Sequence, residues 1–211
     1  PSFLQQLIME SNGKTARIDG GRIPRPTAPV IWGVCGTNAQ HSFFQQLHQG
    51  PDIVPVDFIV AREADATDAT DSTDSTNATH GKTSADDPRH RILVANCLAQ
   101  SAALALGRPL PDESAGELWH KAFTGNRPST TIVLDRVDAA SLGALLAAYE
   151  HATFVASVVL GINAFDQFGV EYGKVMATSV EALLVGGCNA DRMAPSEAVD
   201  ASTAALVQRL A

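Results

Sequence analysis

The segment VPVDFIV at residues 54–60 indicates the fold class, because it is the first strand pattern longer than three residues in this chain of 211 residues. Apolar side chains fall on both faces of the run, which is typical of a strand buried inside a parallel sheet. Pro55 lies near the start of the run, where a missing N–H group is tolerated. We therefore predict a buried β-strand over residues 54–60.

A second strand is predicted over residues 130–134, TTIVL. Between the two lies an alanine-rich apolar segment, residues 92–106, which ends at Gly107 with Pro109 beyond it. This arrangement is typical of a helix and its stop signal. Strands that alternate with helices indicate an α/β fold, which we predict to be a three-layer α/β/α sandwich with a mainly parallel sheet.

The remaining elements are predicted from apolar spacing and from breaker residues. Residues 14–29 hold several glycines and prolines and predict an irregular loop, and VIW at 30–32 predicts a short strand. Asp138 is a suitable N-cap for the helix that follows it. Helices are predicted over residues 3–8, 41–48, 139–149 with continuation towards 160, 166–184, and 197–210.

Charge is concentrated in one part of the chain. The formal net charge is -8, and residues 62–87 alone hold seven acidic and two basic residues. Within them the repeat DATDATDSTDST has no large apolar side chain, so we expect 62–87 to be a disordered or mobile surface insertion. The chain has no clustered basic face, which argues against a nucleic-acid partner.

The cysteines and apolar runs bear on the cellular setting. Cys35, Cys97 and Cys188 are far apart and odd in number, which does not suit a disulfide framework and favours the reducing cytoplasm. No run of 18 or more apolar residues is present, so we expect no membrane partner. The six histidines are scattered without carboxylates at ligand spacing, and we predict no metal site.

Polar residues that local structure does not require occur in three places. Gln6 and Glu10 are four residues apart and share a helix face. His41 follows a glycine turn at a predicted helix start, and Gln167 and Lys174 are two helical turns apart on one face. Each group taken alone also fits an ordinary role: a solvated carboxylate, a helix-start histidine bonded to a nearby carbonyl, or a polar stripe.

Taken together, these groups fall within motifs that follow one another in a fixed order. The motifs are LQQLIMESNGK at 4–14, IWGVCGTNAQHSF at 31–43 with LHQG at 47–50, NCLAQ at 96–100, GNRPS at 125–129, YEH at 149–151, and GINAFDQFGVE at 161–171 with Lys174. In sequence and in order they resemble the glucose-6-phosphate isomerase family. The resemblance covers nearly the whole chain outside the acidic insertion and the last helix.

The resemblance implies an activity and a role for each candidate residue. The activity is the aldose–ketose isomerisation of glucose 6-phosphate and fructose 6-phosphate through a cis-enediol, without a cofactor. Glu10 matches the family's base, His41 the ring-opening histidine, and Lys174 the lysine that works with it. Gln6 and Gln167 match substrate-binding glutamines.

The resemblance also implies the setting of these residues. Family members are homodimers in which the histidine enters the active site of the other subunit, and they are more than twice as long as this chain. We therefore expect residues 1–211 to be the C-terminal sugar-isomerase-type domain, which acts together with an N-terminal portion that carries the phosphate-binding loop. Two alternatives stay open: a non-catalytic fragment that serves as a dimerisation or binding module, and an isomerase of mixed glucose and mannose phosphate specificity.

Overall fold

The computed structural model describes residues 1–63, 87–108, 120–186 and 199–211. They fall into two units, and each is described by itself. Unit 1 comprises Pro1 and Trp32–Ala152, and unit 2 comprises Ser2–Ile31 and Thr153–Ala211. Most of the predicted acidic insertion lies outside the described residues, as does Cys188.

Two strands pair in parallel in unit 1. Strand β1 (Val56–Ala61) lies beside β2 (Ser129–Leu134), with Val56 opposite Ser129 and Ala61 opposite Leu134. The strands predicted over residues 54–60 and 130–134, and their parallel pairing, are confirmed. Strand β1 begins after Pro55, which has no N–H to donate, and the Val56 N–H donates to the Pro128 carbonyl at 3.2 Å.

The long helix between the strands in sequence packs against both of them. It spans Pro88–Leu106 and begins earlier than predicted, because Asp87 caps it. The Asp87 side chain accepts hydrogen bonds from the N–H groups of Arg89 and His90, and proline is well suited to the first helical position. The helix ends at Gly107, whose φ of 68° favours glycine, so the predicted stop is confirmed.

The predicted helix over 41–48 is wrong in its extent. The structure instead has two short helices, Gly36–Ser42 and Phe44–Gln49, separated by Phe43 with φ −134°. The Phe43 ring packs edge-on against Trp32, with ring centroids 4.4 Å apart. The core of unit 1 lies between these helices, the long helix and the strands, and its buried members are Ala39, Phe44, Leu47 and Leu104.

Unit 2 begins with helical structure of an uncommon type. After the short helix Ser2–Leu4, residues Gln5–Glu10 form a π-helix rather than the predicted α-helix. The predicted strand at 30–32 does not form, because side chains of the π-helix bond to the main chain there. Gln5 Nε2 donates to the Ile31 carbonyl at 2.9 Å, and the Ile31 N–H donates to Met9 Sδ at 3.4 Å. The predicted irregular loop at 14–29 is confirmed, and Ala16 and Arg22 form an isolated antiparallel bridge within it.

Two further helices, Phe168–Leu184 and Ala201–Leu210, pack against each other in unit 2. The first begins two residues later than predicted. The second begins after Asp200, whose side chain accepts from the N–H groups of Ser202 and Thr203. Residues 197 and 198 of the predicted last helix lie outside the described ranges.

The helix Ala139–Leu160 starts in unit 1 and ends in unit 2. Its predicted N-cap is confirmed: Asp138 Oδ1 accepts from the Ser141 N–H at 2.7 Å, and this bond lowers the pKa of Asp138. Among the described residues it is the one helix long and apolar enough, by length and composition, to cross a membrane. A single such helix is weak evidence for a membrane span, and Glu150 and His151 lie near its middle.

Candidate active site

Gln6 and Glu10 both lie on the π-helix of unit 2. Gln6 is exposed and Glu10 is half-buried. A π-helix closes its hydrogen bonds between residues i and i+5, so residues four apart stay within one turn. The predicted closeness of the two positions therefore survives the change of helix type, and single π-turns occur frequently at functional sites.

The turn that follows Glu10 is tightly packed. Asn12 is buried, and its Nδ2 donates to the Thr153 carbonyl at 3.1 Å. The Gly13 N–H donates to the Met9 carbonyl at 2.9 Å, and a side chain at position 13 would collide with that same oxygen. Glycine at position 13 thus allows the chain to form a tight turn three residues after the candidate base, Glu10.

Lys14 connects this turn to a distant loop. Its Nζ donates to the Glu10 carbonyl at 3.0 Å and forms an ion pair with Asp166 Oδ1 at 2.7 Å. Nζ also donates to the Asp166 carbonyl, while Asn163 Nδ2 donates to Asp166 Oδ2 at 3.0 Å. The π-helix that carries Glu10 and the loop that leads to Gln167 are therefore held together.

Gln167 directly precedes the helix Phe168–Leu184, and Lys174 lies in the second turn of that helix. Gln167 is the N-cap residue rather than a helical one, and its carbonyl accepts from the N–H groups of Val170 and Glu171. Its side chain makes no capping bond and is exposed, as is the side chain of Lys174. The two residues therefore do not both lie on the helix, because Gln167 precedes its first helical residue, Phe168.

His41 lies in unit 1, in the last turn of the helix Gly36–Ser42, and is exposed. The prediction that it stands at a helix start is wrong, because the helix begins at Gly36 in the glycine turn itself. Unit 2 thus holds four of the five predicted site residues and unit 1 the fifth.

Sequence reasoning did not assign a role to Lys14 or Asp166. The spacing of four between Glu10 and Lys14 was an available signal, since such pairs meet on a helix face. That rule, however, predicts a contact between the amine and the carboxylate, whereas the amine bonds to the Glu10 main-chain carbonyl. Asp166 gave no local signal, because its partner lies 152 residues away.

Metal-binding groups, cysteines and cavities are the other places where chemistry could occur. In the described part of the chain, no group of three or more histidine, cysteine, aspartate or glutamate residues could hold a metal ion. Cys35 and Cys97 are both free, and burial raises the pKa of the Cys97 thiol. An open cavity of about 250 Å³ in unit 1 is lined by residues that include His48, Arg108 and Lys121, none of them a predicted site residue.

Comparisons with known proteins give the family. A family model described as phosphoglucose isomerase matches residues 1–207. The glucose-6-phosphate isomerase of Methylocella silvestris is 48% identical over 99% of this chain and 36% of its own length. That of Sphingopyxis alaskensis is 51% identical over 84% of this chain and 31% of its own length.

A solved structure agrees with these sequences. The crystal structure of a glucose-6-phosphate isomerase from Chlamydia trachomatis matches 99% of this chain and 34% of that chain, with a TM-score of 0.73 and 39% identity. The chain spans about a third of the length of the relatives it matches. The α/β fold with a parallel sheet agrees with this likeness, and the chain belongs to the phosphoglucose isomerase family.

Proposed function

We propose that this chain is the C-terminal sugar-isomerase-type domain of an enzyme that interconverts glucose 6-phosphate and fructose 6-phosphate through a cis-enediol. The observation that carries the proposal is the joining of Glu10 to the loop before Gln167 through Lys14. This contact brings the segment with the candidate base beside the segment with a candidate substrate-binding glutamine. The relatives that match this chain are named glucose-6-phosphate isomerase, and that of Methylocella silvestris matches 99% of it.

Glu10 is proposed as the base. The reaction moves a proton between neighbouring carbons of the sugar, and a single carboxylate on one face of an enediol can both remove and return it. Glu10 is half-buried on a π-helix whose far end is closed by the Gly13 turn. A carboxylate that is held in this way is suited to proton transfer, because a base acts only when it is positioned close to the reacting carbons.

His41 and Lys174 are proposed for ring opening, in which the ring oxygen receives a proton. Both side chains are exposed in their own units and thus accessible to a substrate. We propose, as the family resemblance implies, that the enzyme is a homodimer and that His41 serves the active site of the other subunit. A single subunit would then hold the base without its ring-opening histidine.

Gln6 and Gln167 are proposed to bind the substrate. A glutamine amide offers both a donor and an acceptor, which suits hydroxyl groups and phosphate oxygens. Gln167 stands at the N-cap of a helix without using its side chain there, so the amide is available beside N–H groups that favour anions. We propose no cofactor and a cytoplasmic setting, which the free Cys35 and Cys97 support.

The test combines this chain with the remaining, N-terminal part of the family's length and measures fructose 6-phosphate formation from glucose 6-phosphate. Glu10→Gln should reduce kcat by about 10²- to 10⁴-fold, the range for loss of a general base. Glu181→Gln, an exposed glutamate on the helix Phe168–Leu184, is the matched control and should retain activity. Addition of a chelator should not inactivate the enzyme.

Absence of activity under every mixing condition would contradict the proposal. It would favour the alternative of a non-catalytic dimerisation or binding module. Apolar side chains exposed on the helix Ala139–Leu160, Val159 at 78% among them, are the observation that supports this second reading. Analytical ultracentrifugation of the chain alone would then show a dimer.

A further inference from the structure

The Lys14 amine uses all of its hydrogen-bond donors on two segments of unit 2. An ammonium group has three donors, and the three acceptors here are the Glu10 carbonyl, the Asp166 carbonyl and Asp166 Oδ1. The Lys14 side chain is 14% exposed, so its charge depends on these partners rather than on water. A half-buried amine with every donor matched is held in place by its partners.

The Asp166 end of this contact carries backbone strain. Phe165 has φ 66°, a conformation that a bulky residue adopts only when its surroundings impose it. Lys14 Nζ donates to the carbonyl of the next residue, Asp166, and forms an ion pair with its Oδ1. Asn163 Nδ2 donates to Asp166 Oδ2. Gln167 follows directly, so the Lys14 contact contributes to where that residue stands.

The Glu10 end determines the position of the candidate base. The Lys14 bond to the Glu10 carbonyl, together with the Gly13 bond to Met9, fixes the backbone at the end of the π-helix. A general base works only within hydrogen-bond reach of the proton that it abstracts. Small displacements of its backbone therefore affect proton transfer more strongly than they affect substrate binding.

We propose that Lys14 is a positioning residue for the isomerisation. Its amine holds the Glu10 backbone against the loop 163–167 and so sets the place of the Glu10 carboxylate relative to Gln167. Lys14 acts through Glu10 and does not itself touch the substrate. The inference rests on the function proposed above and adds to it a residue and an ion pair that the family motifs did not assign.

The test uses the enzyme assembled from this chain and the N-terminal part of its family's length. Lys14→Met has nearly the length of lysine but no donors, and it should lower kcat by about 10²-fold, a larger change than the change in KM. Lys121→Met, an exposed lysine in unit 1, is the matched control and should leave kcat unchanged. Asp166→Asn retains both main-chain acceptors and an amide oxygen for Lys14, so it should lose less kcat than Lys14→Met.

A double-mutant cycle separates positioning from simple support of the fold. Glu10→Asp retains a carboxylate that is already displaced, so Lys14→Met should cost clearly less kcat in that background than in the wild type. If Lys14→Met does not fold, the same cycle with Asp166→Asn gives the answer. Equal costs in the two backgrounds, or a rise in KM with kcat preserved, would overturn the positioning role alone. Full activity of Glu10→Gln would instead overturn the proposed function itself.

Discussion

Replacement of Leu104 by alanine should destabilise unit 1 substantially. Leu104 is 1% exposed and lies in the core cluster with Phe44 and Leu47. Truncation of a leucine at such a site removes buried methyl groups and leaves a cavity that rigid neighbours fill only partly, a cost of about 3 kcal/mol. With a urea m-value of about 2 kcal/mol/M, the unfolding midpoint should fall by about 1.5 M.

The measurement is urea unfolding followed by the fluorescence of Trp32, whose ring contacts Phe43 in the same unit. A Trp119→Phe background removes the second of the two tryptophans, so that the signal comes from Trp32 alone. Leu106→Ala is the matched control, because the same residue type on the same helix is 79% exposed there. Equal midpoints for Leu104→Ala and Leu106→Ala would refute the assignment of the core.

Two further predictions concern a titrating side chain and a pair of glycines. Burial, and then the bond that Tyr149 donates to Asp57, raise the pKa of Tyr149 to about 12. The contribution of the raised pKa to the free energy of unfolding is fully present below pH 10, the ordinary pKa of tyrosine. It is lost as the pH rises to about 12. The difference in urea midpoint between wild type and Tyr149→Phe should therefore shrink over that interval, and a constant difference would contradict it. Gly125→Ala should destabilise by more than about 1 kcal/mol, because Gly125 has φ 65° and its Cβ would lie 2.6 Å from the Gly107 nitrogen. Gly143→Ala, inside a helix with open space beside it, should instead stabilise by about 0.5–1 kcal/mol, and equal melting temperatures for the two variants would show the reasoning wrong.

Elements that are set by neighbouring residues were predictable from the sequence. The long helix ends at Gly107 because glycine alone adopts its φ without cost, and that signal is local. The next helix begins at Ala139 because Asp138 caps the N–H group of Ser141, and this signal is local as well. The parallel strands followed from their apolar runs and from the helix between them.

Features that depend on distant partners were not predictable in this way. The stretch 30–32 has strand-forming residues, but the side chains of Gln5 and Met9 bond to the main chain of Ile31. The contact between Lys14 and Asp166 joins residues 152 positions apart, which no periodicity encodes. The five candidate residues stood out as polar groups that local structure does not require, and the family resemblance supplied their roles. Those roles stay predictions until variants are assayed.

Exposed apolar side chains on the helix Ala139–Leu160 have a consequence for how the chain should be handled. Phe154, Val155, Val158 and Val159 lie on one side of it, at positions i, i+1, i+4 and i+5. Any surface that comes to cover them buries apolar area, which gives the association a negative heat capacity change. The attraction therefore weakens on cooling. Complementation with the rest of the enzyme should be attempted warm, because a mixture kept on ice would understate the affinity of the two parts.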